Sequence, residues 1–147
     1  MFKHLLVPID GSPLSESTIG RALSFARDAS AKITFFFAKP EYPLAFYGEG
    51  ALIDPTTPEQ FAQMADQQAH SILDAAAGKA KAAGVVAETR SSVSDAPWIG
   101  IIAAADEVGA DLVFMASHGR RGLSGLLLGS ETHKVLTHSK IPVLIYR

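Results

Sequence analysis

Apolar residues fall along this chain in short runs and helical stripes that alternate. His4-Leu5-Leu6-Val7-Pro8-Ile9 is an apolar run closed by Asp10-Gly11-Ser12-Pro13, which predicts a strand leading into a turn. Beyond it, Ile19, Ala22, Leu23 and Ala26 recur at i, i+3, i+4 and i+7, the buried stripe of a first helix. Ser12 or Ser15 is its expected cap. Ile33-Thr34-Phe35-Phe36-Phe37-Ala38 is β-branched and aromatic, a second strand. Thr57-Pro58-Glu59-Gln60 sets Thr at an N-cap, Pro at the first helical position and Gln where a capping box needs it. Phe61, Met64, Ala65, Ile72, Leu73 and Ala76 are expected on the inner face of that second helix, with Gly84 as its stop. Val85 to Val93 predicts a third strand, its Glu88 and Arg90 marking partial exposure. Asp95-Ala96-Pro97 opens a third helix closed by Gly109, and Leu112-Val113-Phe114-Met115-Ala116 predicts a fourth strand. A helix from Ser130 to His138 and a strand from Ile141 to Tyr146 complete the pattern.

Five apolar strands separated by helices imply a parallel sheet, because right-handed crossovers lay the helices on both faces. The expected fold class is α/β: a three-layer α/β/α open sandwich around a five-stranded parallel sheet, one domain over residues 1–147. Ligands of such sheets bind outside the carboxyl ends of the strands, where the strand order reverses. That points to Asp10, to Ala38 and to the loop after Ala116.

Composition narrows the function classes. With no cysteine among 147 residues, disulfide frameworks, thiol catalysis and cysteine-ligated metals are excluded. No apolar run approaches the ~20 residues that span a bilayer, and the start is too short for a signal peptide, so a soluble cytoplasmic protein is expected. The net charge of −2 hides an asymmetry: residues 1–110 carry −5, whereas residues 111–147 carry +3 and three of the five histidines. Net acidity argues against nucleic acid as a partner, since duplex affinity rests on many phosphate contacts. A local basic segment suits a small anion.

That segment contains Gly119, Gly122, Gly125 and Gly129 within eleven residues, beside Arg120 and Arg121. Glycines let a backbone approach closely and turn successive N–H groups toward an anion, and Gly129-Ser130 opens the last helix, whose N-terminus favours phosphate. The alternative is a turn that merely returns the chain to the sheet. The spacing is neither that of a Walker A loop nor that of a dinucleotide fingerprint.

At these residues the chain resembles the universal stress protein family, whose nucleotide-binding members carry G-x2-G-x9-G-[ST] from the end of the fourth strand. Ala116-Ser117-His118-Gly119, nine residues and Gly129-Ser130 reproduce that register, with Ala116 in place of the first glycine. Val7-Pro8-Ile9-Asp10-Gly11-Ser12, Gly109-Ala110-Asp111-Leu112 and Ile141-Pro142-Val143-Leu144 are similar to the family's first, fourth and fifth strand motifs. The resemblance implies a Rossmann-like adenine-nucleotide site with ATP as its ligand, and any Mg2+ carried by the phosphates. Pro8, Ile9 and Asp10 would face adenine and ribose, and Ala38 and Met115 would line the adenine pocket. Ala116, His118 and Gly119 would pass the ribose and first phosphates, with Arg120 as counter-charge; Gly129, Ser130, Glu131 and Thr132 would meet the outer phosphates. A methyl at position 116 is strained only if its φ is positive. The resemblance also implies a homodimer through the strand Ile141 to Tyr146.

Two other readings stay open: a dimeric interaction module without nucleotide, which Ala116 favours, and a phosphohydrolase or nucleotidyl transferase using Asp10 or His118. No water-positioning residue paired with a metal-holding carboxylate is legible, so any ATP hydrolysis is expected to be slow. His133 and His138 are five apart, the wrong spacing for a shared metal face on a helix, and no protein-only metal site is expected. Trp98 reads as a packing residue. The stretch from Lys39 to Thr57, with Tyr42, Phe46, Tyr47, Leu52 and Ile53 among its prolines, is expected to close over a ligand or meet a partner; a disordered excursion is the alternative.

Overall fold

Strands and helices alternate through residues 1–43, 56–119 and 128–147, which the computed structural model describes. They are β1 (His4–Pro8), α1 (Pro13–Ala29), β2 (Lys32–Lys39), α2 (Pro58–Ala82), β3 (Ala87–Val93), α3 (Pro97–Val108), β4 (Leu112–Ala116), α4 (Ser130–His138) and β5 (Val143–Tyr146). All pairings are parallel, in the order β3-β2-β1-β4-β5. The chain first winds outward from β1 to β3 and then crosses back to β4, so the order reverses between β1 and β4.

The two-residue period of the strands sorts their side chains into two cores. Leu5, Val7, Ile9, Ile33, Phe35, Phe37, Leu112 and Phe114 pack with α1 and α2. Leu6, Phe36, Val113 and Met115 face the other way and pack with Ile101, Ala104 and Ala105 of α3 and Val135 of α4. Burying an aliphatic or aromatic side chain of this size stabilises by roughly 1.5–3 kcal/mol, and Leu5, Leu6, Ile33, Phe35 and Phe36 are fully buried.

Caps fix where the helices begin. Ser12 rather than Ser15 caps α1, its Oγ accepting from Ser15 N at 3.2 Å. Thr57 and Gln60 form the expected capping box of α2. Asp111 fixes the opposite end of the sheet: its carboxylate accepts from the N–H groups of Lys3 (2.8 Å) and His4 (3.0 Å), while its own N–H donates to His4 O (2.9 Å). Burial alone would raise the Asp111 carboxyl, but the donors from His4, Lys3 and its own backbone together hold it below the usual carboxylate value.

Three expectations need correction. Met64 is not on the inner face of α2 but 60% exposed; the buried stripe is Ala65, Ala69, Leu73, Ala76 and Ala80, whose small side chains bring the helix close to the sheet. The third strand begins at Ala87 rather than Val85, whose N–H is taken by Ala80 O at the end of α2; as Glu88 and Arg90 indicated, it is exposed, lying at a sheet edge. The last strand begins at Val143, two residues later than its apolar run, since Ile141 and Ser139 close a local turn through the Ser139 hydroxyl. Of the long stretch after β2, residues 44–55 lie outside the described residues. Its two ends are tied together: Tyr42 OH donates to Thr56 O at 2.7 Å, and the Tyr42 ring meets Phe61 edge-on at 5.5 Å.

His4 is buried in the sheet at that lower end, its Nε2 2.7 Å from Thr34 Oγ1. Burial, and then the nearby Lys32 charge, lower its pKa below 6.5, with Glu88, Asp111 and the Val108 backbone opposing. The unfolded chain therefore binds a proton in a range where the folded chain does not. Stability present above pH 6.5 should fall as pH drops from that value toward the folded pKa. Urea unfolding between pH 7.5 and 5.5 should show this decline in the wild type and a flatter profile in His4→Gln; equal slopes would contradict the assignment.

Candidate functional site

Every strand of a parallel sheet ends on the same side, and every following helix begins there, so strand carboxyl ends and helix N-termini share one rim. The reversal between β1 and β4 opens that rim into a cleft. β1 delivers Pro8, Ile9 and Asp10 to it, β2 delivers Ala38, and β4 delivers Met115 and Ala116. The register sets Pro8 opposite Phe36 on one side, and the β1–β4 pairing extends Leu6 opposite Val113 toward Pro8 and Met115 on the other. Pro8, Ala38 and Met115 thus share the face that α3 and α4 cover. Ile9 does not: its side chain is 5% exposed and belongs to the core under α1 and α2, leaving only its backbone near the rim.

Asp10 spans the cleft. Its Oδ1 accepts from Ser12 N at 2.9 Å and its own N–H donates to Ser15 Oγ at 3.2 Å, which fixes the turn after β1. Its Oδ2 lies against the Cα of Gly119, where a Cβ would strike it. A side chain at 119 would have to displace the Asp10 carboxylate from the neighbouring strand end.

The α4 N-terminus is docked onto the end of β4 by main-chain bonds. Gly129 N donates to Ser117 O at 2.7 Å, Ser117 N donates to Tyr146 O at 2.8 Å, and Thr132 Oγ1 donates to Ala116 O at 3.1 Å. Gly129 has φ −59°, so backbone freedom does not explain it. A Cβ there would lie 3.1 Å from His118 Cα and 3.3 Å from its Cβ, so glycine allows helix and strand end to touch. Ala116 is not among the residues with positive φ, a set in which Ser30 is the sole non-glycine of the described residues; its methyl is unstrained. His118 Nδ1 is 3.2 Å from Ser117 Oγ.

Side chains at the start of α4 do more packing than the sequence indicated. Thr132 is buried and bonded to Ala116, and Glu131 Oε2 accepts from Trp98 N in the first turn of α3 at 2.8 Å. Ser130 is exposed at the rim. By helix geometry the first-turn N–H groups of residues 130–132 have no intrahelical acceptor. Trp98 packs as expected, its ring 4.6 Å from that of His138. The sequence missed Ser117, whose bonds to Gly129 and Tyr146 are main-chain and leave no residue-type signal. Arg120 lies outside the described residues, as do Arg121, Gly122 and Gly125. No group of three or more His, Asp or Glu positioned to hold a metal occurs among the described residues, and no helix there is long and apolar enough to cross a membrane.

Residues 1–147 match the universal stress protein family throughout. Universal stress protein YxiE of Bacillus subtilis (strain 168) is 32% identical over 151 aligned residues, covering 100% of both chains. A solved universal stress protein in complex with cAMP is 32% identical, covering 99% of this chain and 97% of that one, with a TM-score of 0.71. The structure of MJ0577, from Methanocaldococcus jannaschii, superposes with a TM-score of 0.81 at 23% identity, covering 99% and 95% of the two chains, a likeness of fold alone. Full-length agreement in both sequence and topology places this protein: the chain belongs to the universal stress protein family.

Proposed function

We propose that this protein binds an adenine nucleotide, ATP, in the cleft between β1 and β4, and acts as a cytoplasmic regulatory homodimer in stress response. The observation that carries the reading is the α4 N-terminus held against the end of β4, its first-turn N–H groups at the rim where the strand order reverses. Such a helix end favours phosphate through its free donors and its dipole. The cAMP complex of a relative 32% identical supports adenine nucleotide as the ligand class.

In this reading Pro8, Ala38 and Met115 bound the adenine, and Asp10, Ala116, His118 and Gly119 flank the ribose and first phosphate. The N–H groups of Ser130, Glu131 and Thr132 and the Ser130 hydroxyl serve the outer phosphates, while the Gly129 N–H, given to Ser117 O, holds them in place. Arg120, next in sequence to Gly119, adds counter-charge, and Mg2+ rides on the phosphates. The Ala116 methyl carries no backbone strain, which supports the nucleotide reading over the nucleotide-free module. Slow turnover fits the described residues of the cleft, among which no metal-holding acidic cluster occurs to activate water.

The proposed dimer forms along β5, the sheet edge opposite β3. Pro142 O and Tyr146 O accept from β4, so by the alternation of a parallel ladder Val143 and Ile145 turn their backbone groups to the open edge.

Two substitutions test these points. Gly129→Val should abolish the heat of ATP binding in titration calorimetry while the far-UV spectrum stays native, because the added side chain drives α4 from His118; unchanged binding would refute the phosphate placement. Ile145→Pro should shift sedimentation equilibrium from dimer to monomer with the fold retained, since it removes an edge-facing donor. A variant that still sediments as the wild-type dimer would refute the β5 interface.

A further inference from the structure

We infer that the Glu131 side chain sets how much phosphate charge the cleft accepts, tilting its preference from ATP toward less charged adenine nucleotides. The inference rests on the nucleotide reading above and concerns the same site.

Glu131 is the acid in the first turn of α4, at the helix end where phosphates would lie. Its carboxylate is not free to swing away. Oε2 accepts from Trp98 N at 2.8 Å, and it replaces a cap that α3 lacks, since Ala96 at the α3 N-cap offers no side-chain acceptor. Glu131 therefore holds its negative charge between two helix N-termini, offsetting the positive ends of both dipoles. Lys134 lies 3.6 Å from Oε1 on the exposed side and offsets part of that charge, the more weakly as salt is added.

Among the described candidate residues, 8–10, 38, 115–119 and 129–132, there is neither lysine nor arginine. Each added phosphate charge thus meets a fixed carboxylate at the α4 end. In water, one unit charge about 6 Å from another alters affinity about threefold, and a partly desolvated rim increases the effect.

The test is calorimetric affinity for ATP and AMP, at low ionic strength with EDTA so that no cation masks phosphate charge. Wild type is compared with Glu131→Gln, whose amide oxygen still accepts from Trp98 N, and with Glu131→Ala, which loses the bond as well. The ratio of ATP to AMP affinity should rise about threefold or more in both variants, and the gain should shrink as salt is added. A role limited to clamping α4 on α3 would change both affinities by one common factor. An unchanged ratio in both variants, with binding present, overturns the inference and leaves the nucleotide reading intact. Absence of binding by all three proteins to either nucleotide overturns both.

Discussion

The hydrogen bond from Gly129 N–H to the Ser117 carbonyl fixes the relation between the last helix and the central sheet, and the candidate site depends on it. That bond joins the residue after β4 to the residue before α4 across the intervening chain. Glycine at 129 lets the two segments approach without displacing His118, whose Cα would lie 3.1 Å from an added Cβ. Thr132 and Glu131 then complete the docking from two further directions, one onto β4 and one onto α3. What remains at the rim is a row of main-chain donors with a fixed position. The same geometry ties the rim to the sheet edge, since Ser117 also donates to Tyr146 at the end of β5.

A second constraint is topological. With all strands parallel, the order reverses between β1 and β4, and the crossovers from those two strands run in opposite directions. Asp10 and Gly119 meet across the reversal, a contact between residues 109 positions apart that narrows the cleft at one point. The opposite end of the sheet is closed by Asp111 and the buried His4–Thr34 pair. The two ends thus divide the work: one is tied by polar contacts within the protein, the other carries backbone donors and carboxylates at the rim.

Most of the fold was legible because it rests on local signals. Apolar runs, the Thr57–Gln60 capping box and the glycine stops set the elements, and their alternation sets the parallel sheet. What escaped was decided by packing between distant segments. Met64 sits on an apparently apolar helical stripe, yet the helix turns its row of alanines inward because they allow closer approach to the sheet. The glycines at 119 and 129 were legible as special positions, but the reason was not. Neither has a positive φ; each makes room for a neighbour, Asp10 in one case and His118 in the other. The Glu131 side chain was equally opaque, since its partner lies 33 residues earlier and on another helix.

The most direct test of the account is a two-dimensional amide NMR titration with ATP. Binding at the reversal of strand order predicts shifts concentrated at Asp10, Ala38, His118, Gly119 and residues 130–132, with Lys32, His4 and Asp111 at the far end of the sheet unmoved. A spectrum unaffected by ATP, or shifts gathered around His4 and Asp111, would contradict it.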